Sequence, residues 1–281
     1  MKICILGTGT MGSGIAQTFA QNGYDVIMKD ISEEMLQKGM SLINKGLDFL
    51  IKREKITESD KQQALSHIST TLNYGDIKDC DIVIEAIAEI MSLKKIVFKE
   101  LDEVCKPETI LTTNSSSLSI TEIAASTKRP EKVIGMHFFN PVPAMKLVEV
   151  IKGQLTDEKV HVAVFELAQK IGKTPVTVNE APGFLVTRLL IPMVNEGIAT
   201  FADGVATRDE IDEAMKLGAG HPMGPLALAD LIGLDVCLAI MEVLHREFGE
   251  DKYRPHPLLR KMVRANQLGK KTGVGFYDYR K

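Results

Sequence analysis

The feature that most constrains the fold lies in the first 30 residues, where a glycine-rich turn separates a strand from a helix. Residues 3–6 form a short apolar run that predicts a strand buried on both faces. The turn Gly7-Thr8-Gly9-Thr10-Met11-Gly12 follows this run. Apolar residues spaced as one face of a helix come after the turn, at Ile15, Ala16, Phe19 and Ala20. Residues 25–29 then predict a second strand, which ends at Asp30.

The glycines of this turn are spaced Gly7-x-Gly9-x-x-Gly12, and Asp30 ends the next strand. Such glycines allow a tight turn and close approach of the backbone to a pyrophosphate, which the helix N-terminus attracts. Asp30 can accept hydrogen bonds from the hydroxyls of an adenine ribose and would repel a 2′-phosphate. The pattern therefore predicts NAD as the cofactor, with NADP as a weaker alternative because Lys29 is adjacent. A purely structural glycine turn is the other interpretation, and the strand–turn–helix–strand–Asp order disfavours it.

Alternating patterns continue through the first two thirds of the chain. Further strands are predicted at 82–84, 110–112, 132–136, 146–151 and 176–178, with helices at 91–105 and 120–127. This alternation indicates a doubly wound, mainly parallel sheet of the Rossmann type. Residues 32–66 are charged and carry one apolar stripe, which predicts one long helix or two.

The pattern changes near residue 183. A Pro-Gly pair at 182–183 marks a linker, and helices are predicted at 184–203, 208–217, 225–247 and 256–265. We therefore predict two domains. A Rossmann-like NAD-binding domain occupies residues 1–182, and an all-α C-terminal domain for substrate binding and dimerisation occupies residues 183–281.

Composition excludes several classes of function. Thirty-four Lys and Arg against 37 Asp and Glu give a net charge of −3, so no overall basic field exists to bind nucleic acid or an anionic membrane. No apolar run reaches the ~18 residues of a membrane span. The four cysteines are scattered without metal-ligand spacing, which predicts no metal site and a reducing, cytoplasmic compartment.

Two segments contain candidate catalytic side chains. The polar run at 112–118 directly follows a predicted strand, where it would lie at the ligand-binding edge of the sheet or cap a helix. His137 lies at a strand end, and an imidazole titrates near neutral pH, so it can act as a general acid or base. Glu149 lies in an apolar strand and needs a partner if buried. A His137–Glu149 pair would satisfy both side chains.

Two further features each have two interpretations. Lys52, Arg53 and Lys55 form a basic segment that by itself is typical of a solvated helix face. The C-terminal helices carry more apolar residues than one helix pair needs, which predicts a homodimer; the alternative is an ordinary core. These apolar residues are Leu226, Ala227, Leu228, Leu231, Ile232, Leu234, Leu238, Ile240, Met241 and Leu244.

Several motifs together are similar to those of the short-chain L-3-hydroxyacyl-CoA dehydrogenases, and they cover essentially the whole chain in the same order. Besides the glycine turn they are residues 83–89 (VIEAIAE), 113–118 (TNSSSL), 136–141 (MHFFNP), 146–150 (KLVEV), 181–184 (APGF), 215–219 (MKLGA), 221–225 (HPMGP) and 271–277 (KTGVGFY). The resemblance implies reversible hydride transfer between NAD(H) and C3 of a short 3-hydroxyacyl-CoA, such as the pair 3-hydroxybutyryl-CoA and acetoacetyl-CoA.

The resemblance also implies roles for single residues. His137 would be the catalytic acid/base, Glu149 its carboxylate partner, and Ser116 (or Ser117, if the register shifts by one) a contact of the substrate oxygen. The implied contacts of cofactor and of coenzyme A phosphates are more numerous. The cofactor contacts are Gly7, Gly9, Thr10, Met11, Gly12, Asp30, Glu89, Lys94, Ser116, Asn140 and Lys271, and the phosphate contacts are Lys52, Arg53 and Lys55.

One position departs from the family pattern. Where the family has Phe-x-Val-Asn-Arg, this chain has Phe184-Leu185-Val186-Thr187-Arg188. Threonine keeps a hydroxyl but lacks the planar amide of asparagine. The departure leaves two alternatives open. One is a related dehydrogenase of a free hydroxy or sugar acid, and the other is a catalytically weakened NADH-binding relative.

Overall fold

The computed structural model describes residues 1–280, and the chain divides into two compact units. The first unit spans residues 1–180, and the second begins at Ala181. Each unit has its own hydrophobic core.

The first unit is an eight-stranded sheet flanked by helices. Its strands are β1 Lys2–Leu6, β2 Asp25–Lys29, β3 Ile68–Thr71, β4 Ile82–Glu85, β5 Ile110–Thr113, β6 Val133–Phe138, β7 Leu147–Lys152 and β8 Thr174–Asn179. Its α-helices are α1 Thr10–Gln21, α2 Glu33–Lys52, α3 Glu58–Ser66, α4 Met91–Val104, α5 Ile120–Ala124 and α6 Glu158–Lys170.

The strand order is β3-β2-β1-β4-β5-β6-β7-β8, and every neighbouring pair is parallel except β6 and β7. This confirms the predicted doubly wound, mainly parallel sheet. The carboxyl ends of β1, β2, β4, β5 and β6 therefore meet at one edge. Open α/β sheets bind ligands along this edge.

The segment 32–66 forms two helices, α2 and α3, and α2 packs against α1. Ser32 caps α2, and Thr57 and Asp60 form a capping box at α3. The edge strand β3 and the helix α6 were not predicted. Strand β3 has four residues, and none of them is fully buried, so it carries no alternating pattern.

The second unit is helical, as predicted. Its helices are α7 Val186–Ala202, α8 Arg208–Ala219, α9 Pro225–Ile232, α10 Leu234–Phe248 and α11 Pro257–Arg264. The predicted single helix over 225–247 is wrong. Gly233 adopts φ +105°, a conformation outside the helical region, so it separates α9 from α10.

Most of the apolar residues that predict a dimer pack in the hydrophobic core of the second unit. Leu226, Leu234, Ile240, Met241 and Leu244 are buried in its core, and only Leu231 of the set exposes half of its surface. The ordinary-core interpretation therefore accounts for much of that apolar content. Across residues 1–280, no helix is both long and apolar enough to cross a membrane.

Candidate active site

The glycine turn connects β1 to the N-terminus of α1. Gly7 has φ +94°, and a Cβ there would lie 2.7 Å from the Ala86 carbonyl oxygen. A Cβ on Gly12 would lie 1.8 Å from the Gly7 carbonyl oxygen. Gly9 differs, because its φ of −67° suits any residue and a Cβ there would meet no atom within 4 Å. The fold therefore requires Gly7 and Gly12, whereas Gly9 leaves open space beside the helix N-terminus.

Asp30 lies next to this turn, at the end of β2. Its Oδ2 accepts hydrogen bonds from the backbone N–H and the hydroxyl of Thr8, both at 2.7 Å, and its Oδ1 accepts one from the Ile31 N–H. A carboxylate has about four acceptor positions, so capacity remains for a ribose hydroxyl. Lys29 is buried, and its ammonium lies 3.8 Å from the centre of the Tyr74 ring. The positive charge of Lys29 is the reason for keeping NADP as an alternative, and this cation–π contact already occupies that charge.

The antiparallel pairing of β6 and β7 places His137 directly opposite Glu149. His137 Nδ1 lies 2.7 Å from Glu149 Oε2, and both side chains are buried, Glu149 completely. The ring of Phe139 packs against the imidazole, with a centroid distance of 4.5 Å. The structure thus brings together the two residues that the sequence paired as a hypothesis.

The serine segment 115–117 surrounds the carboxylate of Glu89. Glu89 Oε1 accepts hydrogen bonds from the Ser115 hydroxyl at 2.6 Å, the Ser116 N–H at 2.9 Å and the Ser117 N–H at 3.1 Å. Lys94 Nζ lies 3.4 Å from Glu89 Oε2. Partial burial alone would raise the pKa of Glu89, but Lys94 and these hydrogen bonds outweigh it and lower the pKa.

Lys94 is fully buried and forms a second ion pair, with Glu85. Its ammonium lies 2.6 Å from Oε1 of Glu85, at the end of β4, and Glu85 Oε2 accepts a hydrogen bond from the Thr113 hydroxyl at 2.7 Å. The predicted cofactor contacts Glu89, Lys94 and Ser116 therefore belong to one hydrogen-bonded cluster at the carboxyl ends of β4 and β5.

Asn140 is exposed in the loop between β6 and β7. The segment 140–144 and residues of α1 and α2, including Thr10, Gly46 and Phe49, line a mainly apolar cavity of about 380 Å³. Lys52 ends α2, and Arg53, whose guanidinium lies 5.3 Å from the centre of the Phe49 ring, caps it. Lys55 follows two residues later and is exposed. The basic segment thus lies beside one wall of the cavity.

The remaining predicted site residues lie in the second unit. Thr187 is buried in the first turn of α7. Lys271 forms an ion pair with Asp235 of α10. The tail that carries Lys271 is attached to α9 through Asp230, which accepts hydrogen bonds from the N–H groups of Phe276 and Tyr277.

Comparison with known proteins gives a consistent result over the whole chain. The family model described as 3-hydroxyacyl-CoA dehydrogenase, NAD binding domain, matches residues 2–181, and the C-terminal domain model of the same enzymes matches residues 183–279. The chain belongs to the 3-hydroxyacyl-CoA dehydrogenase family.

Individual relatives of the family are similar over their full length. A 3-hydroxybutyryl-CoA dehydrogenase of Clostridioides difficile is 63% identical over 100% of both chains. A probable 3-hydroxybutyryl-CoA dehydrogenase of Bacillus subtilis is 55% identical over 99% of this chain and 97% of its own. The crystal structure of an (S)-3-hydroxybutyryl-CoA dehydrogenase from Ralstonia eutropha has a TM-score of 0.97 and 51% identity, covering 100% of this chain and 99% of that one.

As a member of the 3-hydroxyacyl-CoA dehydrogenase family, the protein is an NAD-dependent oxidoreductase. The open space at Gly9 fits this cofactor, because Gly9 is the N-cap of α1, no side chain caps the helix there, and beyond its chain neighbours no atom of residues 1–280 lies within 4 Å of a Cβ placed on it. The alternative of a free hydroxy or sugar acid dehydrogenase is not favoured by the full-length relatives.

Sequence reasoning assigned no role to two acidic residues of this family member. Glu85 forms the buried ion pair with Lys94, and Glu180 accepts hydrogen bonds from the Ser119 hydroxyl at 2.5 Å and the Thr121 N–H at 3.0 Å, which fixes the start of α5. Glu85 carried a detectable signal, because a carboxylate in an apolar strand needs a buried partner. Glu180 carried none, since its partners lie about 60 residues away in the chain.

Proposed function

We propose that this dehydrogenase interconverts 3-hydroxybutyryl-CoA and acetoacetyl-CoA, using His137 and Glu149 to move the proton. The observation that carries the proposal is the buried 2.7 Å contact of His137 with Glu149 at the ligand-binding edge of an NAD-binding sheet. The names of full-length relatives at 63% and 55% identity support the substrate class.

The contact with Glu149 defines the protonation of the imidazole. An ionised carboxylate only accepts hydrogen bonds, so the Nδ1–H of His137 donates a hydrogen bond to Oε2, and the lone pair of the neutral ring is then on Nε2. In oxidation, Nε2 takes the proton of the C3 hydroxyl, and in reduction it returns that proton to the C3 oxygen. Glu149 stabilises the imidazolium that exists between these events.

NAD, when bound, would supply the nicotinamide that takes up the C3 hydride in oxidation and gives it back in reduction. Asp30 binds the adenine ribose, and the N–H groups at residues 9–12 bind the pyrophosphate. Ser116 binds the substrate oxygen, with Ser117 as the alternative. Glu89, Lys94, Asn140 and Lys271 orient the cofactor near the reacting carbon.

The coenzyme A portion of the substrate needs an apolar surface for its pantetheine arm and cations for its phosphates. The cavity of about 380 Å³ between α1, α2 and residues 140–144 supplies the apolar surface. Lys52, Arg53 and Lys55 supply the cations at the end of α2. We assign the arm to this cavity and the phosphates to these three side chains.

The primary test is NADH oxidation with acetoacetyl-CoA, measured on the native protein, His137→Gln and Thr187→Asn. We expect turnover by the native protein and loss of turnover in His137→Gln with NADH affinity retained. Because a lost positioning contact costs ~10²–10³ in rate, Thr187→Asn shows whether threonine weakens catalysis. An equal rate in the native protein and in Thr187→Asn means that threonine is tolerated at this position.

Two outcomes would contradict the proposal. Near-normal turnover by His137→Gln would remove His137 from the mechanism. NADH binding without turnover in both the native protein and Thr187→Asn would exclude acetoacetyl-CoA as the substrate.

We further propose a homodimer formed through the second unit, and a reducing, cytoplasmic location. The first is supported by exposed apolar residues of this unit, among them Leu189, Val205 and Leu217. The second is supported by four buried cysteines that are all unpaired thiols. We retain the domain assignment of residues 1–182 to NAD binding and 183–281 to substrate binding and dimerisation.

A further inference from the structure

We propose that Lys173 is a positioning residue of this reaction, because its buried ammonium holds the loop that joins the His137 strand to the Glu149 strand. The inference rests on the proposed function for its catalytic consequence. Its structural basis lies wholly within the first unit, at the start of β8.

The Lys173 side chain connects the start of β8 to the loop between β6 and β7. Lys173 lies between α6 and β8 and exposes only 8% of its surface. Its ammonium donates hydrogen bonds to the Val142 carbonyl oxygen at 2.5 Å and to the Met145 carbonyl oxygen at 2.8 Å. Both acceptors belong to the segment 140–145, which connects β6 to β7.

The acceptors of the Lys173 ammonium are two backbone carbonyl oxygens, and among residues 1–280 it forms no ion pair with a carboxylate. Burial lowers the pKa of Lys173, and the nearby charge of Lys146 lowers it further. A buried ammonium is costly unless its hydrogen bonds are satisfied. This ammonium binds the two loop carbonyls, and the interaction therefore links the start of β8 to the 140–145 loop.

The loop itself has little other support for these carbonyls. Pro141 O accepts hydrogen bonds from the N–H groups of both Ala144 and Met145, which closes a turn. This turn uses the N–H groups and leaves the carbonyls of Val142 and Met145 to be satisfied by Lys173. Without the ammonium, carbonyls facing this buried site would lose their donor, and the loop would have to shift.

A shift of this loop would change the proposed binding sites of both NADH and the acyl-CoA. Val142 is buried and lies directly on the helix that follows the glycine turn, since a Cβ on Gly14 would be 3.0 Å from Val142 Cβ. The same loop carries Asn140 and lines the cavity assigned to the pantetheine arm. Lys173 therefore acts through the loop on NADH and on the acyl-CoA together.

The test compares Lys173→Met with Lys170→Met. Lys170 is an exposed lysine at the end of α6, paired with Glu166 at 3.7 Å, so it controls for the loss of a lysine nearby. The dissociation constant of NADH comes from a fluorescence titration, and kcat and KM come from assays with acetoacetyl-CoA. For Lys173→Met we expect NADH affinity and kcat/KM each to fall about 10- to 100-fold, the cost of hydrogen bonds to a charged group. Lys170→Met should stay within about twofold, as surface changes do.

A double-mutant cycle with Asn140→Ala separates positioning from a general loss of stability. If Lys173 acts through the loop that carries Asn140, the two substitutions reduce kcat/KM by less together than the product of their single effects. Additive effects would overturn the inference, as would NADH affinity and kcat/KM of Lys173→Met both equal to those of Lys170→Met. If Lys173→Met does not fold, Lys173→Gln, which keeps an N–H donor, replaces it in the same cycle under the same criteria.

The failure of this inference is distinguishable from the failure of the proposed function. If the native protein does not turn over acetoacetyl-CoA, the proposed substrate is wrong. The role of Lys173 is then tested by NADH binding alone. The double-mutant cycle with Asn140→Ala is measured on the NADH dissociation constant. An NADH dissociation constant of Lys173→Met equal to that of Lys170→Met would overturn it in that case.

Discussion

At the scale of single residues, the proposed mechanism depends on His137 and on its 2.7 Å contact with the buried carboxylate of Glu149. Glu149 exposes none of its surface, and the Nδ1–H of His137 is one of the groups that stabilise its buried charge. The same contact fixes the tautomer in which Nε2 accepts a proton. The same 2.7 Å contact thus stabilises the buried carboxylate and, in the proposed mechanism, leaves Nε2 available for the substrate proton.

The first prediction concerns Glu149→Gln. An amide can hydrogen-bond to either tautomer but cannot stabilise an imidazolium, so we expect kcat to fall by ~10²–10⁴. NADH affinity should remain close to that of the native protein. Glu166→Gln, at an exposed position of α6, is the control. A kcat of Glu149→Gln within twofold of the control would show that the carboxylate has no part in proton transfer.

The second prediction concerns the stability contributed by Glu89. Its folded-state pKa lies below the ordinary 4.5, so the folded protein binds fewer protons in acid than the unfolded chain does. The contribution is complete above pH 4.5 and is lost as the pH falls through the folded-state pKa. The free energy of unfolding of the native protein relative to Glu89→Gln should therefore be constant above this pH and decrease below it.

Urea unfolding at a series of pH values would measure this difference. Glu103→Gln, an exposed carboxylate of the same helix α4, serves as the matched control. A difference between the native protein and Glu89→Gln that grows as the pH falls below 4.5 would contradict the assigned direction.

At the scale of elements, the turn between β1 and α1 contains glycines that serve different purposes. Gly7 and Gly12 are required by contacts within the protein, whereas among residues 1–280 no atom occupies the space at Gly9. The three residues look equivalent in the sequence pattern. Their separate roles follow only from the surrounding atoms.

The third prediction compares alanine at these positions. Gly9→Ala should change the free energy of unfolding by less than about 0.5 kcal/mol, yet weaken NADH binding about 10- to 100-fold by obstructing the pyrophosphate. Gly12→Ala should destabilise the fold by about 1–3 kcal/mol or more through overpacking. Gly218→Ala, an open position in α8, is the control for NADH affinity. Unchanged NADH affinity in Gly9→Ala would exclude a pyrophosphate from this space.

Element prediction was successful where the apolar period was strong. Strands β1, β4 and β6 are nearly continuous apolar runs, because helices cover both sheet faces in this class of fold. Strand β3 has the sequence Ile-Ser-Thr-Thr and only one neighbour, β2, so it carried no comparable signal. The division of α9 from α10 was missed because apolar residues continue through Gly233, whose backbone angle the sequence does not reveal.

At the scale of the whole molecule, the apolar surface of the second unit bears on assembly. Val205 exposes 73% of its surface and lines an apolar cavity of about 420 Å³ formed with residues of α7 and α8. Exposed apolar surface of this kind is typical of protein–protein contacts. It supports the proposed dimer better than the buried leucines from which the dimer was first predicted.

The fourth prediction is that the native protein has twice the chain mass of 30.9 kDa in light scattering. Val205→Glu should shift this mass toward the monomer, because it places a charge in the apolar contact. Leu155→Glu, which changes an exposed apolar residue of the first unit, should leave the dimer intact. A monomer mass for the native protein that does not depend on concentration would disprove the dimer.

The sequence by itself determined the fold class and the cofactor, and it singled out His137 as the proposed acid/base. These depend on local patterns, namely the apolar period of the strands, the glycine spacing before α1 and the motif around His137. Tertiary structure decided the contacts between residues distant in the chain. Only strand register places Glu149 opposite His137, and only packing brings Glu89 to the serine segment and Lys173 to the loop of Val142. Such contacts depend on which elements pack together, and residue spacing along one chain does not record that arrangement.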